Sequence, residues 1–182
     1  MKSAYRIGNG YDVHLLATGL RLVLCGVDIP HSKGLVAHSD GDVAIHALCD
    51  ALLGAVSLGD IGHHFPDNSP EFKGIDSKIL LARSYKLVLE KGYRLVNADL
   101  TILLQKPKVA PYIQQMRQTL AETLSVAAKQ HFQDSGISQV TDCLCSVEDI
   151  SVKATTTEGA GFVGREEGVA VYATVLVEKI CE

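Results

Sequence analysis

The chain has 182 residues, of which 47% are hydrophobic, enough for one packed domain across 1–182, and a net charge of −4 with histidine neutral. This balance excludes a global attraction to nucleic acid or to an anionic membrane, so an anionic ligand would have to be held by local groups. The apolar runs fall well short of the roughly 18 residues a membrane span needs, and residues 1–3 run into a strand-like segment without a signal-peptide pattern.

In chain order, residues 6–14 read as a strand in which Gly8 and Gly10 allow close backbone approach. Residues 21–29 read as a short strand or hairpin arm closed by Pro30. Ser39 or Asp40 caps a helix to about Ser57, with Val43, Ala44, Ala47, Leu48, Ala51 and Leu52 as its apolar stripe. Residues 60–70 form a polar loop rich in turn formers. Asp76 or Ser77 starts a second helix that ends near Lys91, before Gly92. Residues 94–105 are a strand, 107–111 a turn, and Pro111 opens a third helix to about Lys129. Residues 130–146 look irregular, and a surface-loop insertion is expected near 126–146. Residues 150–155 and 168–179 are the last strands, the latter the strongest in the chain. Strands and helices interleave without repeat or linker. The expected fold is therefore α/β (α+β): a single-domain sandwich, a mixed sheet with helices on one face. The other face needs a cover, which points to oligomerisation.

The cysteines are Cys25, Cys49, Cys143, Cys145 and Cys181, an odd number without a framework spacing, and read as reduced thiols. Cys143-x-Cys145 alone is weak grounds for a metal site.

Asp12 and His14 are two apart on a strand, so their side chains leave the same face. His46 on the first helix supplies a third donor. One carboxylate and two imidazoles suit a zinc-type ion with an open position; the plain alternative is three unrelated polar residues near a core. Asp42, His46 and Asp50 fall on one helix face, where a carboxylate can orient the imidazole. For Asp42 the plain alternative is a solvated acidic face. The segment from Ala154 to Arg165 gathers Thr155, Thr156, Thr157, Glu158, glycines and an arginine. Such groups hold phosphate oxygens and magnesium, although a polar turn has the same composition. His63-His64 reads as loop surface, and His31 and His131 as solvated.

Five strings carry a more specific signal. They are Arg6-Ile7-Gly8-x-Gly10-Tyr11-Asp12-Val13-His14, Leu35-x-Ala37-His38-Ser39-Asp40-Gly41-Asp42-Val43-x-x-His46-Ala47, Asp60-Ile61-Gly62-x-x-Phe65-Pro66-Asp67, Val152-Lys153-Ala154-Thr155-Thr156-Thr157-Glu158 and Gly161-Phe162-x-Gly164-Arg165. In this order, and spanning nearly the whole chain, they resemble the 2-C-methyl-D-erythritol 2,4-cyclodiphosphate synthase family of the non-mevalonate isoprenoid pathway.

The resemblance implies a cyclising phosphorus–oxygen lyase. It would convert 4-diphosphocytidyl-2-C-methyl-D-erythritol 2-phosphate to the cyclic diphosphate with release of CMP. It implies zinc on Asp12, His14 and His46, and magnesium or manganese on Glu158. His38 and Thr156 would steady the transition-state phosphates, with Ser39, Thr155 and Thr157 nearby. Asp60, Ile61 and Gly62 would bind the methylerythritol, in a pocket lined by Phe65, Pro66, Asp67, Asn68 and Ser69. Leu104, Gln105, Lys106, Pro107, Lys108, Val109 and Ala110 would form the cytosine pocket. Phe162 and Arg165 would complete the substrate-binding set. The family is a homotrimer with active sites between subunits, with no nucleic-acid or membrane partner. The compartment would be the cytoplasm of a bacterium, or the plastid stroma for a processed eukaryotic enzyme.

The chain departs from the family pattern at Asn9 and Tyr11, where His and Phe are common. It departs again at Tyr172, where some relatives carry a glutamate paired with the arginine equivalent to Arg165. Two competing classes are a metal-dependent phosphohydrolase, which would release inorganic phosphate, and a non-catalytic trimeric binding module, which would not need Asp12, His14, His46 and Glu158 together.

Overall fold

The computed structural model describes residues 3–66, 69–72, 74–135 and 141–180. Its strands are β1 (Tyr5–Thr18), β2 (Leu22–Leu24), β3 (Val27–Ile29), β4 (Lys33–Leu35), β5 (Tyr93–Leu103), β6 (Ile150–Thr155) and β7 (Gly168–Lys179). Its helices are α1 (Val43–Ala55), α2 (Ile61–His64), α3 (Ser77–Glu90), α4 (Ile113–Ser135) and α5 (Gly161–Gly164), with short 3-10 turns between.

Five strands make one sheet in the order β4-β1-β7-β5-β6, and β2 and β3 pair as a separate hairpin. Only β5 and β6 run parallel; the other pairs are antiparallel. The sheet is therefore mixed, as expected. The strand at 94–105 carries a register shift between Leu95 and Asn97, the signature of a bulge.

The period of two along β1 sorts its residues. Gly8 and Gly10 are buried against α1, whereas Tyr5, Ile7, Tyr11 and Leu15 point the other way and are exposed. A Cβ on Gly8 would sit 1.8 Å from the carbonyl oxygen of Ala51, and one on Gly10 1.9 Å from that of Ala47. Only glycine permits so close an approach of helix to strand. The next residues on that face are Asp12 and His14, so the glycines bring the helix onto the strand beside the polar pair.

Helix α1 is buried on ten of its thirteen residues, including Ile45, Cys49 and Leu53 outside the expected stripe. It lies between the sheet and α3, so it needs an apolar surface nearly all round. Its cap is Asp42, not Ser39 or Asp40. Asp42 is completely buried rather than solvated, and its carboxylate accepts the N–H groups of Ala44, Ile45, Cys25 and Gly26. It pins the β2–β3 turn to the start of α1. Burial pushes its carboxyl up to about 6, opposed by the N–H groups of Gly26, Ile45 and Cys25.

The expected loop insertion near 126–146 is corrected over its first part. Helix α4 continues to Ser135. Leu120, Leu124, Ala128 and Phe132 recur every fourth residue and are all buried. That stripe outweighs the polar residues between them. Residues 136–140 lie outside the described residues, and Thr141–Cys143 is a short 3-10 turn. Cys25, Cys49, Cys143 and Cys145 are free thiols; Cys181 lies outside the described residues. No helix among the described residues is long and apolar enough to cross a membrane.

Candidate metal and phosphate site

Asp12, His14 and His46 come together as read from their spacing. One ligand atom from each lies within 4.8 Å of the others, and among the described residues this is the one such group of His, Cys, Asp or Glu. Asp12 Oδ2 is 3.2 Å from His14 Nδ1 and 3.3 Å from His46 Nδ1. Asp12 Oδ1 is occupied by the N–H of Val13 at 2.8 Å, which fixes the carboxylate and leaves Oδ2 to face the imidazoles.

The residues fit a metal. A tetrahedral ion with ligands at about 2.0–2.1 Å has edges of about 3.3 Å between them. Both Asp12–His separations match that edge. His14 Nδ1 is buried and makes no aligned hydrogen bond, although Asp12 Oδ2 is close; a cation would satisfy both atoms. Burial, ahead of the opposing charge of Asp12, lowers the pKa of His14 and favours the neutral imidazole that ligates metals.

The cluster opens into a cavity of about 520 Å³ that also takes His38, Ser39, Ile61, Gly62 and Phe65 in its lining. Val13 and Leu15 from β1, and Phe72, Ile75 and Leu80 from around the start of α3, supply apolar walls. The expected substrate residues split here. Asp60 caps α2 by accepting the His63 N–H at 2.9 Å, so its carboxylate orders that turn. Pro66 and Ser69 are described but do not line the cavity; Asp67 and Asn68 lie outside the described residues. The loop read at 60–70 contains the single helical turn α2, held by Asp60 and by Asp50, which accepts the Ile61 N–H at 2.7 Å.

Asp50 therefore does not hydrogen-bond His46, and neither does the Asp42 carboxylate, so the expected orienting carboxylate from α1 is corrected. The partners of His46 Nε2 are the hydroxyls of Ser39 and Ser77, each at 3.1 Å. Ser77 was legible only as a helix start, and its nearness to His46 depends on how α3 packs on α1.

A second, smaller cavity of about 160 Å³ lies at the other flank of the sheet. Leu104, Gln105, Pro107, Lys108, Val109 and Ala110 line it together with Thr155 and Thr156. Lys106 instead pairs with Glu166 at 3.0 Å. In the loop after β6, the Thr156 hydroxyl donates to Glu158 Oε1 at 3.0 Å, and the Thr157 hydroxyl donates to the carbonyl of Ala160. Glu158 sits at φ 52, a left-handed conformation unfavourable for a side chain of this kind. Phe162 is half-buried on α5, and Arg165 is exposed and forks onto Glu167 at 2.8 and 3.0 Å.

Strands β1 and β6 are separated by β7 and β5, three spacings or about 14 Å. The Asp12–His14–His46 cluster and the loop after β6 are thus held apart by the sheet. A further cavity of about 610 Å³ between α3 and α4 is lined by none of these residues.

Comparisons with known proteins show which family the chain resembles over nearly its whole length. The YgbB family model matches residues 5–132 and 130–178. The chain is 55% identical over 172 residues to the 2-C-methyl-D-erythritol 2,4-cyclodiphosphate synthase of Azotobacter vinelandii, covering 94% of this chain and 98% of that relative. Among solved structures, the bifunctional IspDF of Campylobacter jejuni matches with a TM-score of 0.82 and 40% identity, over 97% of this chain and 42% of that longer one. A 2C-methyl-D-erythritol-2,4-cyclodiphosphate synthase in a CDP-bound form matches with a TM-score of 0.77 and 35% identity, over 95% of this chain and all of that one.

Proposed function

The chain belongs to the YgbB family, the 2-C-methyl-D-erythritol 2,4-cyclodiphosphate synthases, and from that premise we propose how its residues divide the work of the cyclisation. The reaction forms one bond between an oxygen of the substrate's 2-phosphate and the β-phosphorus of its CDP group. It breaks the bridging P–O bond, and CMP leaves. The attacking oxygen is already anionic, so no strong base is required. The barrier lies in bringing two phosphates together and closing a ring, which makes positioning and charge neutralisation the protein's tasks.

Asp12, His14 and His46 hold a zinc ion; the N, N and O donors on edges of 3.2 and 3.3 Å are the observation that carries this reading. Zinc there supplies Lewis acidity toward a phosphate oxygen. His38 and Ser39, in the lining of the same cavity, orient that phosphate. Ile61, Gly62 and Phe65 shape the methylerythritol pocket, and Phe65 helps exclude water. Asp60 offers its carboxylate to the methylerythritol hydroxyls from the head of α2.

The nucleotide half is the small cavity from Leu104 to Ala110, to which Lys106 contributes from its rim. A relative solved in a CDP-bound form supports a nucleotide subsite in this family. Glu158 holds a magnesium- or manganese-type ion for the diphosphate, and the Thr156 hydroxyl orients its carboxylate. Thr155, which lines that cavity, and Thr157, Phe162 and Arg165 from the following loop complete the substrate-binding set.

The active site is shared between subunits of a homotrimer. Two features support this: the half-sites lie on opposite flanks of one chain's sheet, and the outer sheet face leaves Ile7, Leu15, Tyr11 and Tyr172 uncovered. The bacterial source of the Azotobacter relative supports a cytoplasmic setting.

Phosphorus NMR of the protein with the diphosphocytidyl substrate, zinc and magnesium tests the whole reading. A cyclic diphosphate with stoichiometric CMP is expected. Inorganic phosphate instead would mean a hydrolase, and intact substrate with both metals bound would mean that the substrate assignment is wrong.

A further inference from the structure

The two ring nitrogens of His46 face different partners. Nδ1 lies 3.3 Å from Asp12 Oδ2, and Nε2 lies 3.1 Å from each of two hydroxyls, Ser77 Oγ and Ser39 Oγ. Counting donors shows which proton placement each partner favours. The Ser77 hydroxyl has one proton and donates it to Asp40 Oδ1. A carboxylate accepts and does not give one back. Ser77 Oγ can then only accept from His46, which favours the hydrogen on Nε2; Asp12 Oδ2 can also only accept, and it favours the hydrogen on Nδ1 until an ion takes the Nδ1 lone pair.

Asp40 is itself held firmly. Its Oδ2 accepts the Ser77 N–H at 3.0 Å, its Oδ1 accepts the Asp42 N–H at 3.2 Å, and its own N–H donates to the carbonyl of Ile75. Ser77 is completely buried at the first position of α3. Capping does not explain the arrangement, because Asp76 already caps α3 through the Lys78 N–H.

We propose that Asp40 and Ser77 are a positioning pair for the metal cluster. Together they hold His46 as the Nε2–H tautomer and aim Nδ1 at the ion, so the start of α3 sets the affinity of a site whose ligands all lie on β1 and α1. The proposal rests on reading Asp12, His14 and His46 as a metal centre. Groups that orient a ligating histidine through its other nitrogen typically change metal affinity about 10–100-fold when removed.

The test uses the metal-free protein and its Ser77→Ala, Ser77→Thr and Asp40→Asn variants. Zinc affinity is measured by competition with a chromophoric chelator, and the His46 tautomer by nitrogen-15 NMR before metal is added. Metal-free wild type should show a larger Nε2–H share than either Ser77→Ala or Asp40→Asn. Ser77→Ala should lower the Nε2–H share and weaken zinc about 10–100-fold, and Ser77→Thr should recover most of the affinity by restoring a hydroxyl. Asp40→Asn can turn its amide N–H toward Ser77, which lets the Ser77 hydroxyl donate to Nε2; it should therefore shift the tautomer toward Nδ1–H and weaken zinc.

An Nε2–H share in wild type no larger than in Ser77→Ala overturns the proposal. So does unchanged zinc affinity in a folded Ser77→Ala. If Ser77→Ala does not fold, Asp40→Asn decides, with an unchanged tautomer and affinity counting against the pair. Zinc binding that survives His46→Ala at full strength defeats the metal reading itself, whatever the tautomer spectrum shows.

Discussion

The two flanks of the sheet carry chemistry built in opposite ways. On the β1 flank, donors from a strand and a helix meet at 3.2 and 3.3 Å, and the two imidazoles are only 12% and 13% exposed. The groups around His46 come from two separate segments, Ser39–Asp40 and Ser77. On the β6 flank, Thr155, Thr156 and Glu158 are exposed, and the side-chain hydrogen bonds of the threonine loop, Thr156 to Glu158 and Thr157 to Ala160, reach at most three residues along the chain. The first flank is organised by packing within the chain. The second is a locally folded loop presented outward, suited to be completed by another surface. The lesson is that one half-site should fail when the fold is disturbed, and the other only when its own residues are changed.

The largest effect is expected from His46→Ala. Removing one of three ligands should abolish stoichiometric zinc in the purified protein and lower turnover by about 1,000-fold or more, in the range of losing a main charge-stabilising group. Metal analysis and CMP release measure the two, and retention of both would end the assignment of this flank.

Gly10→Val attacks the same flank without touching a ligand. Its Cβ would meet the carbonyl oxygen of Ala47 at 1.9 Å, so α1 must move off β1. Overpacking of this kind costs about 3 kcal/mol or more, and denaturant unfolding together with zinc affinity should both suffer. An effect on stability alone would show that the ligands do not depend on the helix–strand approach.

Asp42→Ala leaves four backbone N–H groups without their carboxylate and should cost about 3 kcal/mol. The pH dependence has a definite sign. The carboxyl is raised to about 6 in the fold from 3.8, so the native state binds its proton more readily than the unfolded chain. Its contribution is fully present below about pH 4 and declines as the pH rises through about 6. The gap in unfolding free energy between wild type and Asp42→Ala should therefore be wider at pH 4 than at pH 7. A gap that widens toward neutrality would mean that the N–H groups outweigh burial.

Glu158→Gln should be the mildest. Stability should change by less than about 0.5 kcal/mol, since the residue is exposed, and zinc content should not change. The magnesium concentration for half-maximal rate should rise about tenfold, as expected for losing one charged ligand. A magnesium titration that overlays wild type would remove Glu158 from the diphosphate half-site.

Much of this molecule was legible before any coordinates. The alternation Gly8, Gly10, Asp12, His14 places two close-approach residues and two ligands on one strand face, and the i, i+4 stripe of the following helix places His46 against them. Local rules suffice there because strand and helix periods are properties of the backbone itself. The strings around Thr156 and Asp60 identify the family for a similar reason: they are contiguous. What the chain alone left undecided lies where contacts join distant segments. Residues Asp40 and Ser77 are 37 apart, and nothing in their local sequence distinguishes a helix-start serine from one that orients a metal ligand. Asp42 reads as solvated because aspartates in helix first turns usually are; only the packing of the β2–β3 turn over it makes four N–H groups available and buries it. The extension of α4 to Ser135 likewise depends on Phe132 finding the core, since burial of every fourth residue outweighs a polar local composition. Sequence determines periodicity, caps and contiguous motifs, whereas partnership across the fold is decided by which surfaces the tertiary structure presses together, because hydrogen bonds act only at contact distance.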